Sequence, residues 1–376
     1  MAPCLANAQP AGTRQQRMSV PPGPALGYSP IDAGAKCNGK TDDTAAIQAW
    51  WSTLMRLGGA GALPPGTCIV RSPLVWDMSQ RPDGVRIAGA GQGQSVLDLR
   101  AVRAGTPLLI TGNRALFYGD FSDFTVLTDT AGAGVQLGKS DLTDAINGFT
   151  FARIEFKNVA NDTATVALRI NGCFNCDFQG VVANTGGGST TGNGKGVSLQ
   201  VRYAAFSRFM GSFSNAGTGV HLTGGYVFGN VFEAVDAEVV NTGISIDSPR
   251  AERNTFIGGQ FVAMTGLDFK AGSANVVTNP NISPYPGGVP VAGSAGLWLQ
   301  QFGAEVATPP VPPSGTALVN STGRSVLVVV SGGAVSGMSA GASVYSLTQG
   351  TIAVRPGEAV TLVYTAAPVW DWRAMP

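Results

Sequence analysis

Charge is what this chain has least of. Charged residues make up 12% of its 376 residues, against 44% apolar. A disordered chain has the opposite balance, so disorder is excluded. The net charge is +1, and no basic stripe stands out, which argues against a nucleic-acid partner gripped through its phosphates. Long apolar runs are missing as well: none reaches the ~18 residues that span a bilayer. The segment 1–30 carries Arg14 and Arg17 but no apolar stretch between them and a cleavage site, so it does not read as a signal peptide. Histidine occurs once, as His221. Cysteine occurs at 4, 37, 68, 173 and 176, an odd number at irregular spacings. That is not the pattern of a disulfide framework, and it predicts a reducing site of synthesis. Spacing alone does not pair Cys37 with Cys68. Cys173-x-x-Cys176 lacks the further ligands of a zinc site and reads as two buried or turn thiols. No metal and no other cofactor is expected.

Glycine is what the chain has in abundance, 52 residues with 23 prolines and no collagen period. Much glycine with little charge suits short strands and tight turns. Residues 1–28 are aperiodic and read as an arm. Residues 42–57 read as the one helix: Thr41, Asp42, Asp43 and Thr44 supply capping side chains, and Ile47, Trp50, Trp51 and Leu54 form an apolar stripe. A helix so apolar on one side must cover something, and the open end of a solenoid core is the natural candidate.

From about Val70 the chain turns to short β-branched runs between glycines, and repeats appear. Gly196-Val-Ser-Leu, Gly219-Val-His-Leu, Gly243-Ile-Ser-Ile and Gly266-Leu-Asp-Phe start 23, 24 and 23 residues apart. Gly134-Val-Gln-Leu and Thr165-Val-Ala-Leu extend the series upstream at spacings of 31. Phe178, Phe209, Phe232 and Phe256 each lie 13 residues after a repeat start, and Asn230 and Asn254 each lie 11 after. The period predicts an all-β, right-handed, single-stranded parallel β-helix over 29–280, with one coil per repeat. Equivalent residues of successive coils then stack at ~4.8 Å. A propeller would want a period nearer ~40 residues. Residues 281–314, rich in Pro and Gly, read as a linker, and 315–376 as a small C-terminal β domain.

The run from Ile31 to Ala49, Ile-Asp-Ala-Gly-Ala-Lys-Cys-Asn-Gly-Lys-Thr-Asp-Asp-Thr-Ala-Ala-Ile-Gln-Ala, resembles the entry motif of the pectate-lyase-like β-helix superfamily, which bacteriophage tailspikes and capsule depolymerases share. Leu63-Pro-Pro-Gly-Thr and Val85-Arg-Ile-Ala-Gly-Ala-Gly resemble that family's opening turns. The likeness covers roughly residues 29–100 in motif and the later turns in pattern. It implies a homotrimeric virion spike, made in the host cytoplasm, that engages a bacterial surface polysaccharide. The arm 1–28 would then join other phage tail proteins, and the terminal domain would trimerise or bind receptor.

Asp42-Asp43 reads as helix capping rather than a catalytic pair. Gly89-Ala-Gly-Gln-Gly-Gln breaks the dinucleotide pattern, since no Gly stands at position 94, and reads as a coil turn. Glycoside hydrolysis needs two carboxylates, ~5–5.5 Å apart in retaining and ~6.5–9.5 Å apart in inverting enzymes, which neighbouring coils supply naturally. Residues 219–254 are richest in them, and Glu233, Asp236, Asp247 and Glu252 are the catalytic candidates. Glu233 follows inward Phe232, and Asp247 follows inward Ile246, so both should face out. Tyr203, Tyr226 and Arg250 each lie seven residues after a repeat start. They should form a column, with His221 on the strand before it. Aromatic faces bind sugar rings and arginine pairs with sugar carboxylates, which makes these four the substrate-binding candidates. The bland alternative is a solvated flank. A lyase would instead use His221, Arg250 or Lys270 as base and charge-neutralising groups. A non-catalytic spike and a free bacterial hydrolase or lyase remain alternatives.

Overall fold

The computed structural model describes residues 27–79, 84–112, 118–139, 144–300, 306–345 and 348–375. Most of the arm, residues 1–26, lies outside them. Strands from Asn38–Asp42 to Leu297–Gln300 pair in parallel in one 26-stranded wrap of about nine turns. The chain is a parallel β-helix.

Each turn has three faces. Val166–Ile170 pairs with the start of Val197–Ala205, and that in turn with residues 218–222 of Ala216–Phe228, residues 240–246 of Asp236–Ile246 and residues 263–269 of Gln260–Phe269. This is the first face. Cys173 and Phe174, then Ala204 and Ala205, then Val227 and Phe228, then Ala251 and Glu252 make a short second face. Asp177–Thr185, Arg208–Ser214, Val231–Glu233 and Thr255–Ile257 stack as the third.

The expected phenylalanine ladder runs down the third face. Phe178, Phe209, Phe232 and Phe256 are buried, and neighbours stack at 4.6, 4.8 and 4.5 Å within 14° of parallel. Upstream it continues through Phe151 and Phe121 to Trp76. Each such contact adds about 0.5–1.5 kcal/mol beyond burial. The paired phenylalanines are 30, 27 and 31 residues apart before Phe209, then 23 and 24. Longer loops in the early turns therefore hide the period there.

A second ladder holds the corner between the second and third faces. Asn175, Phe206, Gly229, Arg253 and Ala274 all have φ between 52° and 63°. After each comes Cys176, Ser207, Asn230, Asn254 or Asn275. The Asn254 amide oxygen accepts from Asn230 Nδ2 (2.9 Å), and the Asn254 amide donates to Asn275 Oδ1 (3.0 Å) and to the Val227 carbonyl (3.0 Å). These buried amides satisfy backbone groups that the turn leaves unpaired.

The helix, Thr44–Leu57, closes the first end of the core as expected: Ile47, Trp50, Trp51 and Leu54 are buried, and Trp51 stacks on Trp76 at 5.0 Å. Its capping differs from the sequence reading. Asp42 Oδ1 accepts from the Thr44 amide (3.0 Å), but the buried Asp43 carboxylate turns away and accepts from the amides of Lys36 (2.7 Å) and Cys37 (3.0 Å). Asp43 pins the entry loop, because the approach to the helix folds back over it.

Two expectations are corrected. Four of the cysteines form disulfides, Cys37–Cys68 and Cys173–Cys176, and Cys4 lies outside the described residues. Coiling brings Cys37, just before strand Asn38–Asp42, beside Cys68 on the paired strand Gly66–Ile69, 31 residues on, a proximity that spacing does not reveal. Cys37, Cys68 and the Asp43 carboxylate cluster closely, but the sulfurs are spent on each other. Within 281–314, residues 281–300 are not a free linker. Asn281–Ile282, Val289–Ser294 and Leu297–Gln300 continue the parallel pairing. Further on, the Pro309 carbonyl accepts from Trp370 Nε1 (2.7 Å) and the Pro312 carbonyl from the Tyr364 hydroxyl (2.7 Å), so that segment packs on the terminal domain. Proline-rich composition marked irregular strands here, not a free tether.

The terminal domain has two antiparallel sheets, of four and three strands, around its own core of Val326, Val328, Ile352, Val354, Leu362, Trp370 and Trp372. No helix among the described residues is long and apolar enough to cross a membrane.

Candidate functional site

The site is built from the outward positions of the first and second faces. On the first face, Arg169 pairs in register with Gln200, Gln200 with His221, His221 with Ser245, and Ser245 with Asp268. Alternation points these five away from the core between inward Leu168, Leu199, Val220, Ile244 and Leu267 and their successors. Arg169 Nε donates to Gln200 Oε1 at 2.7 Å. His221 Nε2 lies 2.9 Å from Asp247 Oδ2, which belongs to the next turn. An ionised carboxylate can only accept, so against it Nε2 is the donor of this bond.

On the second face Tyr203 and Tyr226 are partners in register, and the Arg250 guanidinium lies over the Tyr226 ring, 5.7 Å from its centre. The column expected from spacing therefore exists. Its chemistry is not a bare aromatic wall, however, since the cation covers one Tyr226 face. Two residues on, Phe228 stacks beside Tyr226 (5.8 Å), and Arg253 covers the Phe228 ring at 5.6 Å. Phe206 meets Phe228 edge-on at 5.7 Å and is 61% exposed.

Phe206, Phe228 and Arg253 were not singled out from the sequence. The signal was there: Phe228 lies nine residues after its repeat start, and Phe206 and Arg253 lie ten after theirs. Phe206 is also costly to keep where it is. A bulky side chain at φ 54° strains the backbone by about 1 kcal/mol or more, and its ring stays in water.

The four carboxylate candidates are divided. Glu233 and Asp236 lie on the third face. Glu233 Oε2 accepts from Arg208 Nε (2.9 Å), and Asp177 lies 4.0 Å from the same guanidinium. Asp236 Oδ2 accepts from the Ser212 hydroxyl at 2.9 Å. Both belong to polar columns that tie successive coils. Asp247 ends the first face beside His221, and Glu252 sits on the second face, in register with Phe228. The fold thus gathers His221, Asp247, Tyr203, Tyr226, Arg250 and Glu252 on one flank and leaves Glu233 and Asp236 around the corner. Lys270 pairs with Asp268 at 2.9 Å, on the edge of that flank. Burial, together with the charge of Arg202, holds the Arg169 guanidinium below its ordinary range.

No family model matches the chain, and no curated protein does. Among solved structures, the ORF18 protein of Geobacillus virus E2 is similar at 15% identity over 90% of this chain and 76% of its own, with a TM-score of 0.47. The enzymatically active domain of tailspike protein 2 of bacteriophage CBA120 is similar at 12% identity over 94% and 70%, with a TM-score of 0.45. A tailspike protein of an Acinetobacter phage is similar at 12% identity over 93% and 87%, with a TM-score of 0.44. The parallel coil itself rests on the strand register given above.

Proposed function

We propose that this chain is a bacteriophage tailspike that binds a bacterial surface polysaccharide along the joined first and second faces. The observation that carries this reading is a pair of aromatic–arginine contacts across one coil boundary, Tyr226 with Arg250 and Phe228 with Arg253, beside an exposed Phe206. Coils advance ~4.8 Å each, and a polymer of repeating sugars can lie against such a regular flank. The entry motif around Ile31 to Ala49 supports the same assignment. Cleavage is assigned to Asp247 and Glu252, with His221 held by Asp247, because these acids share the flank with the aromatic–arginine pairs. Glu233 and Asp236 are committed to Arg208 and Ser212.

Assembly as a homotrimer fits the terminal domain. Val319, Val344, Val363 and Val369 are exposed on or beside its strands, and such apolar edges seek pairing. The arm 1–28 is proposed to join the other tail proteins. Light scattering of the full chain gives the oligomeric state directly, and a monomer would refute the trimer.

The decisive experiment screens the purified full chain against immobilised capsular and lipopolysaccharide polysaccharides, then follows reducing ends and unsaturated-product absorbance for any that bind. Binding with new reducing ends and no unsaturation supports a hydrolase. Unsaturated product moves the chemistry to His221, Arg250 and Lys270 as a lyase. Binding without product leaves a receptor-binding spike, and no binding refutes the proposal.

A further inference from the structure

The arginines of the coil are not treated alike. Arg71, Arg86, Arg100, Arg103, Arg153 and Arg208 each have a carboxylate within 4.0 Å. Arg169, Arg202, Arg250 and Arg253 have none among the described residues, and all four lie on the flank just described. With a net charge of only +1, four unpaired arginines on one flank do not follow from a basic chain. The flank's own acids do not neutralise it: Asp247 is engaged by His221, Asp268 by Lys270, and Glu252 makes no ion pair.

Two physical details say what these cations await. Arg169 and Arg202 are like charges on adjacent coils. Gln200, which accepts from Arg169 Nε, stands two residues before Arg202 on the same outward side of its strand. Arg169 is partly withdrawn from water, and a guanidinium cannot relieve the repulsion by losing its proton. A bound anion would relieve it more fully than the water that reaches exposed Arg202. Arg250 and Arg253, in turn, lie over aromatic rings, with Cζ 5.7 and 5.6 Å from the ring centres, and their guanidinium N–H donors have no hydrogen-bond partner among the described residues. The guanidinium edge is a fork, matched to the two oxygens of a carboxylate.

We infer that the flank is specific for an acidic glycan, with carboxylate-bearing sugars held at two places, between Arg169 and Arg202 and along the edges of Arg250 and Arg253. This rests on the polysaccharide-binding reading and narrows it to one substrate class. Spacing the two places over successive coils selects a polymer whose charged sugars recur, and a neutral chain leaves both pairs unsatisfied.

The test takes every polysaccharide that the full chain binds in the screen above and compares it with its carboxyl-reduced form, in which each uronic or sialic carboxylate has become a neutral alcohol. The expectation is that all bound polysaccharides carry carboxylates and that reduction weakens binding by about ten-fold or more, as the loss of charge-assisted hydrogen bonds requires. Arg169→Met/Arg202→Met and Arg250→Met/Arg253→Met should each cause a similar loss. Arg202→Lys, which keeps the charge but not the fork, should lose less. Circular-dichroism melting of each variant reports whether it folds, and reduction of the glycan tests the wild-type protein without any substitution. Equal binding to the reduced form, or binding to neutral polysaccharides, overturns this inference and leaves the polysaccharide reading standing. Binding that survives carboxyl reduction but not dephosphorylation also overturns it, in favour of a phosphate. If nothing binds, both readings fall.

Discussion

Asp247 Oδ2 lies 2.9 Å from His221 Nε2, across one coil boundary. The two side chains are 43% and 20% exposed, so the pair stabilises the fold by less than about 1 kcal/mol. Asp247→Asn should therefore melt within a few degrees of wild type. On the hydrolase reading it should nonetheless lower turnover of the bound polysaccharide by about 10²-fold, the scale of a lost proton-transfer group. Unchanged turnover would remove the pair from the chemistry. By contrast, Glu233→Gln should leave turnover unaltered, since that carboxylate is held on the third face.

Phe209 is stacked on both sides, by Phe178 at 4.6 Å and by Phe232 at 4.8 Å. Phe209→Ala leaves a cavity in the middle of the ladder and should cost about 3–5 kcal/mol. Urea unfolding would show it as a lower midpoint with an unchanged slope.

Asn254 is the central rung of the amide ladder. Asn254→Ala strands the Asn230 amide group and the Val227 carbonyl in the core, at about 1–3 kcal/mol each. Asn254→Asp keeps the shape but removes two donors. Both should melt below wild type, and amide exchange should speed up first at Asn230. Exchange unchanged there would mean that water replaces the rung.

Arg100 grips Asp98 with both nitrogens, Nε to Oδ1 at 2.9 Å and Nη2 to Oδ2 at 2.7 Å. These bonds hold the Asp98 carboxyl below its ordinary range. A depressed folded-state value contributes stability that is full above the unfolded value, ~3.9, and is lost as pH falls through the lower folded value. The melting difference between wild type and Asp98→Asn should be constant above about pH 5 and shrink in stronger acid. A difference independent of pH would contradict the pairing.

The Cys37–Cys68 bond closes a loop of 31 residues. Chain entropy gives such a closure about 3–4 kcal/mol. Cys68→Ser should lower the denaturation midpoint accordingly. Thiol titration in denaturant should find four fewer thiols before reduction than after it. Five thiols before reduction would restore the reading of reduced cysteines.

The sequence by itself determined the coil. Local glycine turns, alternating apolar residues and the regular return of Phe and Asn express a fold in which each turn contacts only its neighbours, so the register is written into the period. The helix that closes the end and the column of Tyr203, Tyr226 and Arg250 were legible for the same reason. Tertiary structure alone decided the rest, because it depends on where the corners fall. A left-handed corner at Val239 separates Glu233 and Asp236 from Asp247 and Glu252, although all four lie within one short stretch. Coiling brings Cys37 to Cys68 and carries the Pro-rich segment on as strands. It also sets the arginines over the aromatic rings, which turns an expected stacking wall into a row of cationic forks. Side-chain direction at a left-handed corner is fixed by three dimensions of packing, and no spacing along the chain encodes it.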